Sequence, residues 1–427
     1  MPGYVFPNET EIQWSLLIVL YPYITGLVAG AFVVSSLYHV FNVKALKPVA
    51  SMSLIAALSF LLVAPMALQA HLGHPERAFE IFLTPNRTSA MAGFGYIWAF
   101  YTLLVVAEVW LVFRPDIVYY AGSSSGLKKR LYWLAALGVL RVTPRGRHAD
   151  ERLIKILATA GIPAACVLHG YVGFLFGAIK ANPWWSTPLM PVIFLMSAIV
   201  SGIAMLVVMY VAVSLLRGKP IDHECIRSLA RWLLGFLIID LAMEGLELLN
   251  MFYEAEDTWP VISGLITERL LISFVGIQVL LGGFVPLATL LVLAIPGPLP
   301  GKGWLYTFRE VTATRLTVAA ALLVLIGVFA MRWNVVIGGQ MVSKSLRGYL
   351  SYVPPLGGRE GVLAVLVFFS LPFYIFYILT TLIPPWDRPA LDELEHEPGE
   401  RGRSPDLVPA PAHGLIRPVA AAPQELE

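Results

Sequence analysis

Residues 48–79 read PVASMSLIAALSFLLVAPMALQAHLGHPERAF. Positions 48–70 hold no Asp, Glu, Lys or Arg. At 1.5 Å of rise per residue, such a run crosses a hydrocarbon core of about 30 Å as one helix. His71, His74, Pro75, Glu76 and Arg77 then crowd into a short polar knot before another apolar run opens near residue 90. Two membrane helices joined by a tight polar hairpin is the reading that fits, and the rest of the chain repeats it.

The chain has 427 residues, 57% hydrophobic and 14% charged, with a mean hydropathy of +0.72. A soluble domain carries roughly 25% charged residues. The alternating ten-residue strands of a transmembrane barrel are missing from the sequence. The fold class expected is therefore all-α, a polytopic transmembrane helix bundle of about nine spans. The spans predicted are 14–41, 48–72, 90–113, 153–177, 188–216, 228–252, 268–294, 313–332 and 361–384. The basic, aromatic stretch 127–140 is too short to span and suits an interfacial helix.

Lysine and arginine set the orientation. Basic residues crowd the connections 42–47, 114–152, 217–227 and 295–312, for example Lys44, Lys128, Arg130, Arg145, Lys219 and Lys302. The connections 73–89, 178–187 and 253–267 carry few, and the last is acidic through Glu254, Glu256 and Asp257. Loop 333–360 is an exception, with Lys344, Arg347 and Arg359. An N-terminus outside and a cytoplasmic tail follow. The organisation expected is an outer segment 1–13, a four-helix bundle 14–177 holding the main site, and a second four-helix bundle 188–332. An outer loop with an accessory helix (333–384) and a disordered tail (385–427), rich in Pro, Glu and Arg, complete it. No cleavable leader is expected, because the first apolar run is too long for one.

Ionisable groups within spans cost roughly 2.5–3.5 kcal/mol each on insertion scales. The sixth span carries Asp240, Glu244, Glu247 and Asn250, whose offsets of four, three and three put them on one helical face. Three ionised carboxylates there would cost roughly 8–10 kcal/mol, so protonation or pairing is required. A proton path and a polar helix contact, with Arg269 or Arg332 as partner near the outer end, both fit. Glu108 is a further lone carboxyl in the third span. In the fourth span His169 and Tyr171 fall roughly 24–27 Å beyond Leu153, level with the hairpin. A histidine and a tyrosine beside a lipid-accessible cavity can hydrogen-bond the two carbonyls of a quinone. They also serve commonly as interfacial anchors. His71 lies at similar depth, so a single outer haem is conceivable, yet no second ligand pair exists. Cys166 and Cys225 form no CxxC series, so no iron–sulfur cluster or zinc site is expected in this chain. Gly26 and Gly30 give the first span a small-xxx-small face suited to helix packing.

Taken together, WSLLIVLYPYITGLVAGAF, HLGHPERAFEIFLTPNRTSAMAGFGYIW, HGYVGFLFGAIKANPWWSTPLMPVIF and LGGFVPLATLL resemble the membrane subunits of the NrfD, or polysulfide reductase, family over roughly residues 12–294. The resemblance implies a haem-free subunit that exchanges electrons and protons with menaquinone or ubiquinone in a bacterial or archaeal cytoplasmic membrane. It implies a ferredoxin-like iron–sulfur partner, with a molybdopterin catalytic subunit or a multihaem cytochrome beyond it. Tyr171 matches the family's quinone tyrosine. Gly73, Pro75, Arg77, Asn86 and Ser89 match the hairpin motif, which makes His74, Glu76, Arg77, Asn86 and Ser89 candidates for the docking edge. His71 and His74 depart from the pattern, standing where an aspartate and an arginine are usual. Tyr171, His169 and His71 are the expected quinone-binding residues, and Asp240, Glu244, Glu247 and Glu108 the expected proton path. A secondary transporter with its substrate at the mid-membrane carboxylates is the alternative, though paired broken helices are not evident. A purely structural anchor is a third possibility.

Overall fold

The structure, a computed structural model, describes residues 11–86, 88–139, 141–253, 258–294, 310–343, 345–346 and 348–388. The tail beyond residue 388, including His396 and His413, lies outside the described residues. So do the first ten residues, Glu254, Glu256, Asp257, Lys302, Lys344 and Arg347, on which part of the charge reading rests.

Helix α1 (Leu16–His39) starts at Ser15, whose hydroxyl accepts from the Leu17 amide, and has no acidic residue in its first turn. Its apolar window is 94% buried inside the protein, so it is the central helix. It packs on α2 (Lys47–His71), which opens with a proline where an amide donor would be idle. The hairpin that follows carries a 3-10 turn at Pro75–Arg77 and a short helix, α3 (Glu80–Leu83). Helix α4 (Ala90–Ser123) crosses back, α5 (Gly126–Ala135) lies beyond its end, and α6 (Pro144–Gly177) returns. The start of α1, the 72–89 hairpin and the end of α6 therefore share one face of the bundle, called here the hairpin face.

The second half repeats the traverse. Helix α7 (Met190–Leu216) packs on α1 through a backbone contact. A Cβ added at Gly30 would sit 2.6 Å from the Cα of Gly202. The small-residue stripe is thus a packing face, which lets two helix backbones approach. Helix α8 (His223–Tyr253) begins at Asp222, whose carboxylate accepts from the amides of Glu224 and Cys225. After the short α9 (Trp259–Glu268), residues Leu271–Phe284 form wide turns with i→i+5 hydrogen bonding, continued by α10 (Val285–Ala294). Pro286 has no amide to close an α-turn, and Gly282 sits backbone to backbone against Gly327 of α11 (Glu310–Trp333).

Among the described residues, eight helical stretches are long and apolar enough to cross a membrane, and α8 is a further helix of 31 residues whose charges set it apart. The protein is a multi-pass helical membrane protein. Several boundaries differ from the sequence reading. Helices α4 and α6 extend to Ser123 and back to Pro144. The span expected to end at 332 continues through a wide turn at Asn334–Gly338 into α12 (Gly339–Met341). Polar Arg332 and Asn334 resemble a helix end, yet each is only 1% exposed.

Helix α13 (Val362–Leu382) is peripheral and is tied at both ends. At the hairpin face Arg359 donates to the Leu72 carbonyl (2.8 Å). At the opposite face the Tyr132 hydroxyl of α5 donates to the Leu382 carbonyl (2.7 Å), and Arg388 pairs with Asp116 of α4 (2.8 Å). Arg388→Ala leaves the buried Asp116 without that cation and is expected to cost about 3 kcal/mol of stability. A thermal melt in detergent checks this, and an unchanged midpoint would show that the end of α13 is not held this way.

Candidate functional site

Two cavities flank the hairpin. The larger, about 610 Å³, is lined by Asn86, Thr88, Ser89, Gly93, Tyr96 and Tyr171 among others. Its shape is set locally. The Asn86 carboxamide accepts from the Thr88 amide (3.0 Å) and hydroxyl (2.8 Å), an Asx turn that delivers Ser89 as the residue before α4. The Tyr171 hydroxyl donates to the Ala90 carbonyl (2.8 Å) in the first turn of α4. Gly93 makes room for it, because a Cβ there would collide with that hydroxyl. Donating once leaves the phenol oxygen with lone pairs to accept from a ligand.

The second cavity, about 340 Å³, lies on the other side of the same turn and is almost wholly apolar. Leu62, Met66, Phe79, Phe82, Met91 and Trp98 form much of its wall. The hairpin is built between the two. Tyr96 donates to the Phe82 carbonyl (3.3 Å), and Gln69 to that of Pro75 (3.2 Å). Arg77 pairs with Glu80 (3.1 Å) rather than with Glu76. His74 and Glu76 face solvent 2.9 Å apart, and the Glu76 carboxyl is held below the ordinary carboxylate range by its own backbone amide and then by His74. His71 closes α2 with Nδ1 3.0 Å from Glu360, which ties the residues just before α13 to the hairpin.

His169 and Tyr171 do not meet in one cavity. Two residues on a helix turn about 200°, so the two side chains leave α6 on opposite sides. His169 is 2% exposed, faces the core edge-on to Tyr101 (6.4 Å) and is not among the residues lining the 610 Å³ cavity. Its Nε2, the Tyr101 hydroxyl and both oxygens of Glu108 find no hydrogen-bond partner among the described residues.

The carboxylate stripe of α8 sits in a polar seam of the second half. Glu244 accepts from Gln278 (3.0 Å), Gln278 accepts from Asn334 (2.8 Å), and Asn334 accepts from the Ser273 hydroxyl (2.6 Å). Both stretches of wide turns contribute to this chain, consistent with the tendency of such turns to occur at functional sites. A cavity of about 60 Å³ reaches Glu244 and Glu247 from the hairpin side, and one of about 20 Å³ lies beside Asp240 and Glu244. Those volumes suit roughly four waters and one. Arg332 stands between the halves. Its Nη2 donates to the Ser197 hydroxyl (2.8 Å) and the Phe194 carbonyl (3.3 Å), while the guanidinium lies 4.0 Å from the Phe194 ring centre. The sequence suggests a position near the outer end for Arg332 and does not single out Gln278, Asn334, Ser273 or Ser197. A glutamine amid the uncharged run of 270–294 was the signal available. Asn334→Ala interrupts the chain and is expected to cost about 1–3 kcal/mol, read as a lowered melting midpoint. A midpoint equal to wild type would mean the chain adds nothing to stability.

A bundle of membrane-length helices with a cavity at one face and a buried polar seam across its second half defines a multi-pass integral membrane protein. The chain belongs to the polysulphide reductase, NrfD family, whose model matches residues 5–344. Among its relatives, a selenate reductase subunit of Mesobacillus selenatarsenatis is 33% identical over 247 residues, 56% of this chain and 57% of that one. A putative dimethyl sulfoxide reductase membrane subunit of Halobacterium salinarum is 27% identical over 53% of this chain and 49% of its own. The Hdr-like menaquinol oxidoreductase integral membrane subunit of Archaeoglobus fulgidus is 22% identical over 88% of this chain and 86% of its own. The match thus spans about half of the first two relatives' lengths.

Proposed function

We propose that this chain is the quinone-reactive membrane subunit of a respiratory oxidoreductase, exchanging electrons and protons between the quinone pool and an iron–sulfur partner. The observation that carries this reading is the 610 Å³ cavity, in which Tyr171 stands against the first turn of α4 beside the exposed hairpin. A quinol ring fits between Tyr171, Asn86 and Ser89, whose hydroxyl and amide groups suit its two oxygens. The apolar cavity across the turn suits an isoprenoid tail. Oxidation of quinol to quinone releases two electrons and two protons. The electrons pass to the partner, for which the exposed Phe79 and Leu83 offer a docking edge. The relative named as a menaquinol oxidoreductase subunit favours menaquinone.

The same reading sets the hairpin face outside and the basic face in the cytoplasm of a bacterial or archaeal cell. Asp240, Glu244, Gln278 and Asn334 then form a proton relay in the second half, with Arg332 balancing the carboxylates. His169, Tyr101 and Glu108 are the relay groups of the first half. A quinone with a photoreactive ring, applied to the assembled complex, tests the site. Label on segments 85–96 or 171–174 is expected, and label confined to α8 or α11 would move the site to the second half. The transporter alternative predicts solute exchange by the solitary chain in liposomes, whereas this reading predicts co-isolation with an iron–sulfur subunit.

A further inference from the structure

A third region of the protein has an arrangement that neither the quinone cavity nor the proton relay uses. At the face opposite the hairpin, α8, α10 and α11 enclose a cavity of about 70 Å³. We propose that it binds the phosphate group of an anionic phospholipid. His223, Arg227 and Arg231 follow one another at offsets of four, so α8 presents all three on one face, and all three line the cavity. Across it stand Glu310, 3.7 Å from Arg227 and 3.9 Å from His223, and Thr314, whose hydroxyl is 2.9 Å from His223 Nδ1. Arg231 has no ion-pair partner among the described residues. Among the described residues that line it, two guanidiniums against one carboxylate leave a single positive charge, which matches the monoanion of a phosphodiester.

The volume suits about five water-sized groups, and a phosphate has five heavy atoms. Arginine binds phosphate oxygens through paired donors, and basic pockets between membrane helices are known hosts for anionic headgroups. The other walls decide between a lipid and a free phosphate. Ile226, Leu290, Leu293 and Ala294 are apolar, and the neighbouring Leu291, Val292 and Val311 are exposed on the helix sides. A headgroup here would leave its acyl chains on an apolar surface, whereas inorganic phosphate gains nothing from that wall.

The purified full-length protein, stripped of lipid in a zwitterionic detergent, is melted with phosphatidylglycerol, phosphatidylcholine or inorganic phosphate. Phosphatidylglycerol is expected to raise the midpoint by several degrees with saturation, and phosphatidylcholine much less. Arg231→Gln keeps the Arg227–Glu310 pair, so it should fold and should lose most of that rise. Arg231→Lys, which keeps the charge, should retain much of it. An equal rise in wild type and Arg231→Gln would overturn the site. A rise with inorganic phosphate as large as that with phosphatidylglycerol would overturn the lipid assignment.

Discussion

Gly30→Val is expected to leave little folded protein in the membrane. The α1–α7 contact is backbone on backbone, and a Cβ at Gly30 would lie 2.6 Å from both the Gly202 Cα and the Ile203 nitrogen. No rotamer change relieves that overlap, because the colliding atoms belong to the neighbouring helix's main chain. Separating the helices would loosen α1, which also contacts α2 and α6. Overpacking a core costs about 1–3 kcal/mol where side chains can yield. Here they cannot, and a loss above about 3 kcal/mol is expected, enough to consume much of a typical folding free energy. Two controls separate this from a general intolerance to side chains. Gly26→Ala places its Cβ 3.4 Å from Ala198 and should be nearly neutral. Gly245→Ala meets nothing within 4 Å and should gain about 0.5–1 kcal/mol of helix stability. Fluorescence-detected size exclusion and a thermal melt read all three. A Gly30→Val protein that elutes and melts like wild type would show that the helices part freely.

The same logic explains what the sequence discloses and what it hides. Charge-free runs such as 48–70 and the polar knot at 71–77 announce their helices and hairpin, since the bilayer forbids unpaired backbone in any other arrangement. The one-sided placing of Asp240, Glu244 and Glu247 is likewise a matter of periodicity. Arg332 lies deeper than a helix ending at 332 would put it, because the helix does not end there. The wide turn at 334–338 carries the helix onward while Asn334 finds Gln278 and Ser273, partners 56 and 61 residues away. Such pairings have no local signature. His169 and Tyr171 show the opposite case. Their two-residue spacing puts them at nearly the same depth, and the half-turn it also implies separates core from cavity.

Tyr171→Phe should lower quinone-linked turnover of the assembled complex by about tenfold, the size expected when one hydrogen bond to the ligand, worth about 1–1.5 kcal/mol, is lost. Stability should fall by only about 1 kcal/mol, because one hydrogen bond to the Ala90 carbonyl is lost and the ring still packs near Phe174. Electron transfer from an artificial donor to the partner subunit should be unaffected, which separates a site defect from a failed assembly. A second variant reaches the same phenol without touching it. Gly93→Ala adds one methyl group where the Tyr171 hydroxyl now rests. The obstacle is the far end of a side chain, so the fold can yield cheaply, but the hydroxyl must leave its place. The expected result is a turnover defect approaching that of Tyr171→Phe at near-wild-type stability. His169→Gln, changed on the core side of the same helix, should leave the apparent affinity for quinone intact. If Tyr171→Phe turns over normally while His169→Gln weakens quinone binding, the ligand lies in the core beside Tyr101 and the hairpin cavity serves only to seat the partner.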